Sequence, residues 1–292
     1  MASGSYKIGI IGGAGWLGSA IAKSLIYSGV IGASEIVISS RSHRPASPDD
    51  IRHTPDNREL ARLAEVVLLS VRPEDSHLVD VDVEGKLLIS VMAGVSSELL
   101  SGRHRTQRVV RALPNAAAAV GLSYTPWFAS SSTSEDDRDL VRAIFDACGT
   151  QDVLTREADI DFLTGLTGTG PAYPALLAVA MYRSALSHGL NENVAMRAVN
   201  GMLVGAGGLL REKPVHPELT VRDFVDYKGV TAAGLEAMQS GGFVEAVDQG
   251  IKAALQKTQA IARTIEQCRW STTATMKKRE RDYEKEDLPA ER

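Results

Sequence analysis

The sequence predicts an α/β protein, with a doubly wound, mainly parallel sheet in its first half and an all-helical domain in its second. Three observations carry this expectation. Short apolar runs alternate with segments of helical spacing from Tyr6 to about Arg156. A glycine-rich turn follows the first of those runs at once. Beyond about Arg156 the strand patterns stop, and helical spacing continues to about Met276. The expected divisions are 1–158, 159–276 and a charged tail over 277–292. A chain of 292 residues has room for two domains of ordinary size.

In chain order, Tyr6–Ile11 reads as a buried strand, and Ser19–Tyr27 as a helix with Ala20, Ile21, Leu25 and Ile26 on its apolar side. Between them Gly13, Gly15 and Gly18 form a GxGxxG turn that also contains Trp16 and Leu17. Strand, glycines and helix together suit a dinucleotide, because the backbone can approach a pyrophosphate whose charge sits on the helix N-terminus. The next strand, Glu35–Ser39, ends in Ser39-Ser40-Arg41-Ser42. A free ribose 2′-hydroxyl is usually met here by Asp or Glu, whereas Arg with small hydroxyls suits a 2′-phosphate. NADP(H) is therefore expected ahead of NAD(H). His43–Asn57, rich in Pro and Asp, reads as a loop. Val66–Val71, Lys86–Met92 and Arg108–Ala112 follow as strands, the first stopped by Pro73 and the second by Ala93-Gly94. After a Ser-rich loop, Ser134 caps a helix whose apolar face is Leu140, Val141, Ile144 and Phe145, and Gly149 closes it.

The helical half is organised around Leu163–Leu190, which opens with Thr167-Gly168-Thr169-Gly170-Pro171. Pro171 and Pro174 both fall in a first helical turn, where a missing N–H costs little. From Ala172 to Met181 every residue but Pro174 is apolar, so this helix is expected to be buried on all sides. It is too short to span a bilayer, which needs ~20 residues. A domain of this size has few helices to cover it, and a second subunit is expected. Asn193–Leu210, Val221–Val225, Thr231–Gln239 and Gly242–Glu266 also carry helical patterns. Beyond Met276 the charged tail suits a solvated helix extension or a disordered segment.

Composition excludes several classes of function. The net charge of −4 implies no broad basic surface for nucleic acid, and no segment is a membrane span. Cys148 and Cys268 lie far apart without metal-ligand spacing, which fits reduced thiols in the cytoplasm. The apolar run Ile8–Ile11 is too short for a signal peptide, and the six histidines form no metal-binding cluster.

Several motifs together resemble the pyrroline-5-carboxylate reductase family. They are Val109-Val110-Arg111-Ala112-Leu113-Pro114-Asn115, Ser90-Val91-Met92-Ala93-Gly94-Val95-Ser96, and Leu166-Thr167-Gly168-Thr169-Gly170-Pro171-Ala172-Tyr173. The last is similar to the family's Leu-Ser-Gly-Ser-Gly-Pro-Ala-Tyr. Asp161, His216-Pro217 and Gly241-Gly242-Phe243 fall in register with them, and the likeness runs from Ile8 to about Ile265. It implies an N-terminal Rossmann domain, a C-terminal helical dimerisation domain, and homodimers or larger rings of dimers. It also implies reduction of a cyclic imino acid, 1-pyrroline-5-carboxylate, to proline with NAD(P)H.

By the same resemblance Asn57, Ser40, Arg41 and Ser42 would hold the adenosine end of the coenzyme. Val71, Arg72, Pro73, Ala93 and Gly94 would border the nicotinamide, with Asn115 also at the coenzyme site. Departures accompany the matches. Trp16 and Leu17 replace Asn and Met, Ala116-Ala117 replace Thr-Pro, and Arg72 replaces Lys. Where the family reads Ser-Pro-Gly-Gly-x-Thr, this chain reads Asp226-Tyr227-Lys228-Gly229-Val230-Thr231.

Asp226, Lys228 and Gly229 to Ala232 are thus the candidate substrate residues, and Thr231 is the candidate catalytic one. Its hydroxyl can orient the ring nitrogen or a water, while backbone N–H groups receive a carboxylate. Thr231 as a plain helix N-cap is the alternative. Three broader readings stay open beside this one. They are reduction of a different imine, a non-catalytic NADP-binding protein, and a hydroxyacid dehydrogenase. No lysine beyond residue 160 has Asn four positions later, which speaks against the last.

Overall fold

The structure, a computed structural model, describes residues 6–41, 51–212 and 215–286, with side chains for 7–41, 51–212 and 215–267. Ser42 and most of the expected His43–Asn57 loop lie outside the described residues. The chain divides into two compact units. One runs to Gly168 and takes in the chain from Ala254 onward; the other is Thr169–Ala253.

The first unit holds an eight-stranded sheet in the order β3-β2-β1-β4-β5-β6-β7-β8. The expected strands appear as β1 (Tyr6–Ile11), β2 (Ile36–Ser39), β4 (Ala64–Leu69), β5 (Leu87–Ser90) and β6 (Val109–Ala112). Their apolar runs are buried on both faces, as parallel strands require. Three more were not foreseen: β3 (Arg52–Thr54), β7 (Ser123–Ala129) and β8 (Gly149–Val153). All neighbouring pairs are parallel except β6 and β7. Gly149 does not close the preceding helix, which is capped at Ala147; it opens β8 instead.

Helices cover both faces of this sheet. α1 (Trp16–Tyr27) and α4 (Glu135–Asp146) send Ile21, Leu25, Val141, Ile144 and Phe145 into one apolar layer with Ile8, Ile10 and Trp127. α2 (Asn57–Leu63) and α3 (Ser97–His104) send Leu60, Ala61, Leu99 and Leu100 into the opposite layer with Ile11, Val67 and Leu69. Ser134 caps α4 as expected, in a reciprocal arrangement with Asp137. Beyond β8, α5 (Ala158–Leu163) leads into a π-helical turn over Thr164–Gly168. Buried Arg111 on β6 ties this region down, pairing with Glu157 at 2.8 Å and Asp161 at 2.9 Å.

The second unit contains α6 (Ala172–Ser187), α7 (Glu192–Glu212), α8 (Pro217–Asp226) and α9 (Val230–Ser240), with the start of α10 (Phe243–Glu286). Pro171 caps α6, so Pro174 falls in its first turn and removes no ladder bond. The expectation that Ala172–Met181 is buried on all sides fails within the single chain. No residue of α6 is buried, and Leu176 is 70% exposed. α10 is helical through Glu286, into the charged segment. Among the described residues no helix is long and apolar enough to cross a membrane.

Candidate functional site

In an open α/β sheet, ligands bind beyond the strand C-termini where the strand order reverses. Here that point is β1, flanked by β2 and β4. A cavity of about 300 Å³ opens there, lined by Gly12 and Gly15 after β1, Ser40 and Arg41 after β2, and Ser70, Val71 and Arg72 after β4. Asn57, Pro55, Asp75, Leu78 and Val79 complete its walls with Ile11.

The glycine turn has its shape because side chains do not fit. Gly12 takes φ +80, and a Cβ on it would stand 2.5 Å from the Ser70 carbonyl oxygen. Its N–H and that of Gly13 both donate to the Ser39 carbonyl, at 2.9 and 3.0 Å, which locks the turn to the end of β2. A Cβ on Gly18 would lie 2.8 Å from the Gly12 carbonyl oxygen, so only glycine lets α1 start this close to β1. α1 begins after Gly15 with no side-chain cap, so among the described residues no side chain occupies its first-turn N–H groups, from Trp16 to Gly18. Those donors and the helix dipole suit an anion.

At the adenosine end, the Ser39 hydroxyl donates to the Asn57 amide oxygen at 2.6 Å, which leaves the amide NH₂ as donor. The Ser40 hydroxyl meets His53 Nε2 at 3.0 Å. Arg41 donates to the Asp75 carboxylate at 2.8 Å. Asp75 comes from a 3₁₀ turn, Pro73–Leu78, that starts straight after β4 and Arg72.

Six of the expected coenzyme residues therefore line one cavity: Gly15, Ser40, Arg41, Asn57, Val71 and Arg72. Gly13, Leu17 and Gly18 shape the turn behind it. Trp16 is 61% exposed and lines a separate groove with Lys23, Tyr27 and Val120. Gly94 is buried where the backbone nears Thr258 of α10, and Ala93 and Pro73 are half-buried outside the cavity. Asn115 is held elsewhere. Its side-chain oxygen accepts from the Ala117 N–H, and its NH₂ donates to the Thr167 carbonyl, both at 3.0 Å. Ser42 lies outside the described residues. Sequence reasoning missed Gly12 and Asp75; the double glycine Gly12-Gly13 was the available signal for the first.

The candidate substrate turn belongs to the second unit and joins α8 to α9. The Lys228 N–H donates to the Val225 carbonyl at 2.9 Å and ends α8. Lys228 itself takes φ +52, the left-handed region, at a position where the family pattern reads glycine. Gly229 caps α9 without a side-chain bond, so among the described residues no side chain occupies the N–H groups of Val230, Thr231 and Ala232. Thr231 is thus the second residue of α9 and not its N-cap. Asp226, Tyr227, Lys228, Val230 and Thr231 are exposed, and Ala232 is buried.

Known proteins share this architecture. Residues 157–261 match the family model described as pyrroline-5-carboxylate reductase dimerisation. Residues 7–94 match one described as NADP oxidoreductase, coenzyme F420-dependent. The pyrroline-5-carboxylate reductase of Synechocystis is 30% identical over 267 residues, covering 89% of this chain and 99% of that one. The structure of a pyrroline-5-carboxylate reductase from Coxiella burnetii superposes with a TM-score of 0.77 at 26% identity, over 88% of this chain and 99% of that one. The Plasmodium falciparum pyrroline carboxylate reductase with NADP bound gives a TM-score of 0.78 at 24% identity, over 88% and 98% of the two chains, and bears on the fold. A glycine turn on a doubly wound sheet, a helical second unit and a near full-length relative together place this chain in the pyrroline-5-carboxylate reductase family.

Proposed function

We propose that this chain reduces the C=N bond of 1-pyrroline-5-carboxylate to give proline, with NADPH preferred over NADH as hydride donor. The observation that carries the reading is the cavity beyond β1, β2 and β4, where the glycine turn and Arg41 line one space. The turn fits a dinucleotide because the volume that a Cβ would fill at Gly12 and Gly18 is already occupied by backbone. When bound, the nicotinamide coenzyme supplies the hydride that reduces the imine carbon.

The chain's own residues bind and orient. First-turn N–H groups of α1 take the pyrophosphate, and Arg41 with Ser40 takes the 2′-phosphate. Asn57 serves the adenosine end, and Val71, Arg72, Pro73, Ala93 and Gly94 border the nicotinamide. In the substrate turn, the uncapped N–H groups of Val230 to Ala232 receive the carboxylate. The Thr231 hydroxyl orients the ring nitrogen or a water. A cyclic iminium already carries its positive charge, so positioning and not a strong protein acid supplies most of the rate. The protein works as a homodimer in the cytoplasm, with the apolar faces of α6 and α7 covered by a second copy.

The test is NADPH consumption with pyrroline-5-carboxylate beside its six-membered and decarboxylated analogues. The expected order puts the five-membered carboxylate first. Faster turnover of the decarboxylated ring would favour a second reading, in which exposed Asp226 selects a cationic imine without a carboxylate.

A further inference from the structure

Strand β2 ends at Ser39 and is followed by Ser40 and Arg41, with no acid where a ribose 2′-hydroxyl is usually bound. The structure brings a carboxylate to that place from another element. Among the described residues lining the coenzyme cavity, Asp75 is the one acid, and it pairs with Arg41 at 2.8 Å. The two partners differ in exposure. The Asp75 side chain is 24% exposed and sits in a 3₁₀ turn whose backbone it closes, its N–H donating to the Arg72 carbonyl at 2.9 Å. The Arg41 side chain is 79% exposed. The acid is the more buried partner and the cation the more exposed one.

We propose that Asp75 sets how strongly this site favours NADPH over NADH. Its carboxylate holds Arg41 when no 2′-phosphate is present, and it accepts a ribose hydroxyl of NADH. A phosphorylated coenzyme must share Arg41 with that carboxylate or displace it. This rests on the reading above, that Arg41 meets the 2′-phosphate. The pair uses one N–H of Nη2 and leaves four donors on the guanidinium, so an incoming phosphate competes with Asp75 for the charge of Arg41 and for the position of its fork. A phosphate and a carboxylate sharing one guanidinium also lie close enough to repel each other. The discrimination between coenzymes is therefore the difference between two competing contacts at one cation.

The experiment compares kcat/KM for NADPH and NADH in the wild type, Asp75→Asn, Asp75→Ser and Arg41→Ala, with pyrroline-5-carboxylate as substrate. Replacing one charged hydrogen-bond partner should raise the NADPH-to-NADH ratio about tenfold in both Asp75 variants, through a lower KM for NADPH and a higher one for NADH. Arg41→Ala should lower the ratio. A purely structural role for Asp75 would depress both coenzymes together and leave the ratio unmoved. An unchanged or lowered ratio in the two Asp75 variants, with Arg41→Ala still impairing NADPH use, overturns the proposal and leaves the phosphate reading standing. NADPH use unaffected by Arg41→Ala overturns both. Asp75→Ser gives a second measurement should Asp75→Asn fold poorly.

Discussion

Thr231 stands one residue inside α9, so its hydroxyl is not consumed in capping the helix. Thr231→Val should lower turnover by the worth of one positioning hydrogen bond, ~1 kcal/mol or somewhat more, while NADPH affinity stays unchanged. Steady-state kinetics beside a coenzyme titration separate the two effects, and an unaltered kcat in the folded variant would remove Thr231 from the mechanism. Gly18 offers a second test of the site. A Cβ there would approach the Gly13 Cα to 2.9 Å, so Gly18→Ala must push α1 away from the turn, costing about 1–3 kcal/mol of stability and raising KM for the coenzyme. Cys148 is fully buried, and burial pushes its thiol up to about 11. Peptide-resolved alkylation at neutral pH should leave it unlabelled until the protein unfolds. The glycines and Arg41 were legible in the sequence because both follow strand ends at short, fixed spacing. Asp75 was not, because its approach to Arg41 depends on a 3₁₀ turn after β4, some thirty residues downstream.

The same contrast holds for whole elements. The five foreseen strands carry apolar runs, and burial on both faces makes such runs readable. β3, β7 and β8 lack that mark. β3 is three residues at the sheet edge, β7 contains Pro126, and most of β8 is polar and not buried. Proline within a run argues against a strand on local grounds, and here pairing on both sides overrides it. α4 was legible from its cap, and the cap carries a charge pair as well. Asp137 receives two guanidinium bonds from Arg108, one at 2.9 Å. These, with the Ser134 bonds, hold its carboxyl below the usual carboxylate range. A carboxyl whose folded pKa is depressed stabilises the fold above its unfolded value, and that contribution is lost as pH falls through the folded value. Thermal stability should therefore drop on acidification below about pH 4, near the ordinary Asp pKa. Asp137→Asn should be less stable at pH 7 and flatter over that acid limb, as read by melting curves across pH. The turn between α8 and α9 is the element where local rules are broken, with Lys228 left-handed. Such a residue costs roughly 1–2 kcal/mol relative to glycine's freedom there. Asp226→Ser with Lys228→Gly should relieve that and raise kcat/KM on pyrroline-5-carboxylate. No gain over a brisk native enzyme would show the turn to be competent as it stands.

At the scale of the molecule, the helical unit does not close on itself. α6 buries none of its residues, and α7 buries only Ala195 and Val199. Leu176, Val204 and Leu209 are 70%, 77% and 64% exposed, far more apolar surface than a monomer normally leaves in water. The all-round apolar pattern of Ala172–Met181 led to an expectation of burial that the single chain does not meet, and the sequence of one chain does not show what else could supply it. Four helices and the start of a fifth provide too few neighbours, and the match to a dimerisation model over residues 157–261 supports a second copy as the cover. Folding and association should then be one equilibrium. A tenfold dilution removes about 1.4 kcal/mol of association free energy per dimer, enough to lower Tm by about 1 °C for two chains of this size. Leu176→Asp or Val204→Asp would bury an unpaired charge in that contact at a cost of several kcal/mol, and should dissociate the protein or leave the helical unit unfolded while the sheet unit retains its coenzyme cavity. Sedimentation velocity and melting curves at two concentrations decide the matter. A wild-type monomer with full activity and a concentration-independent Tm would mean that these apolar faces serve some purpose other than self-association.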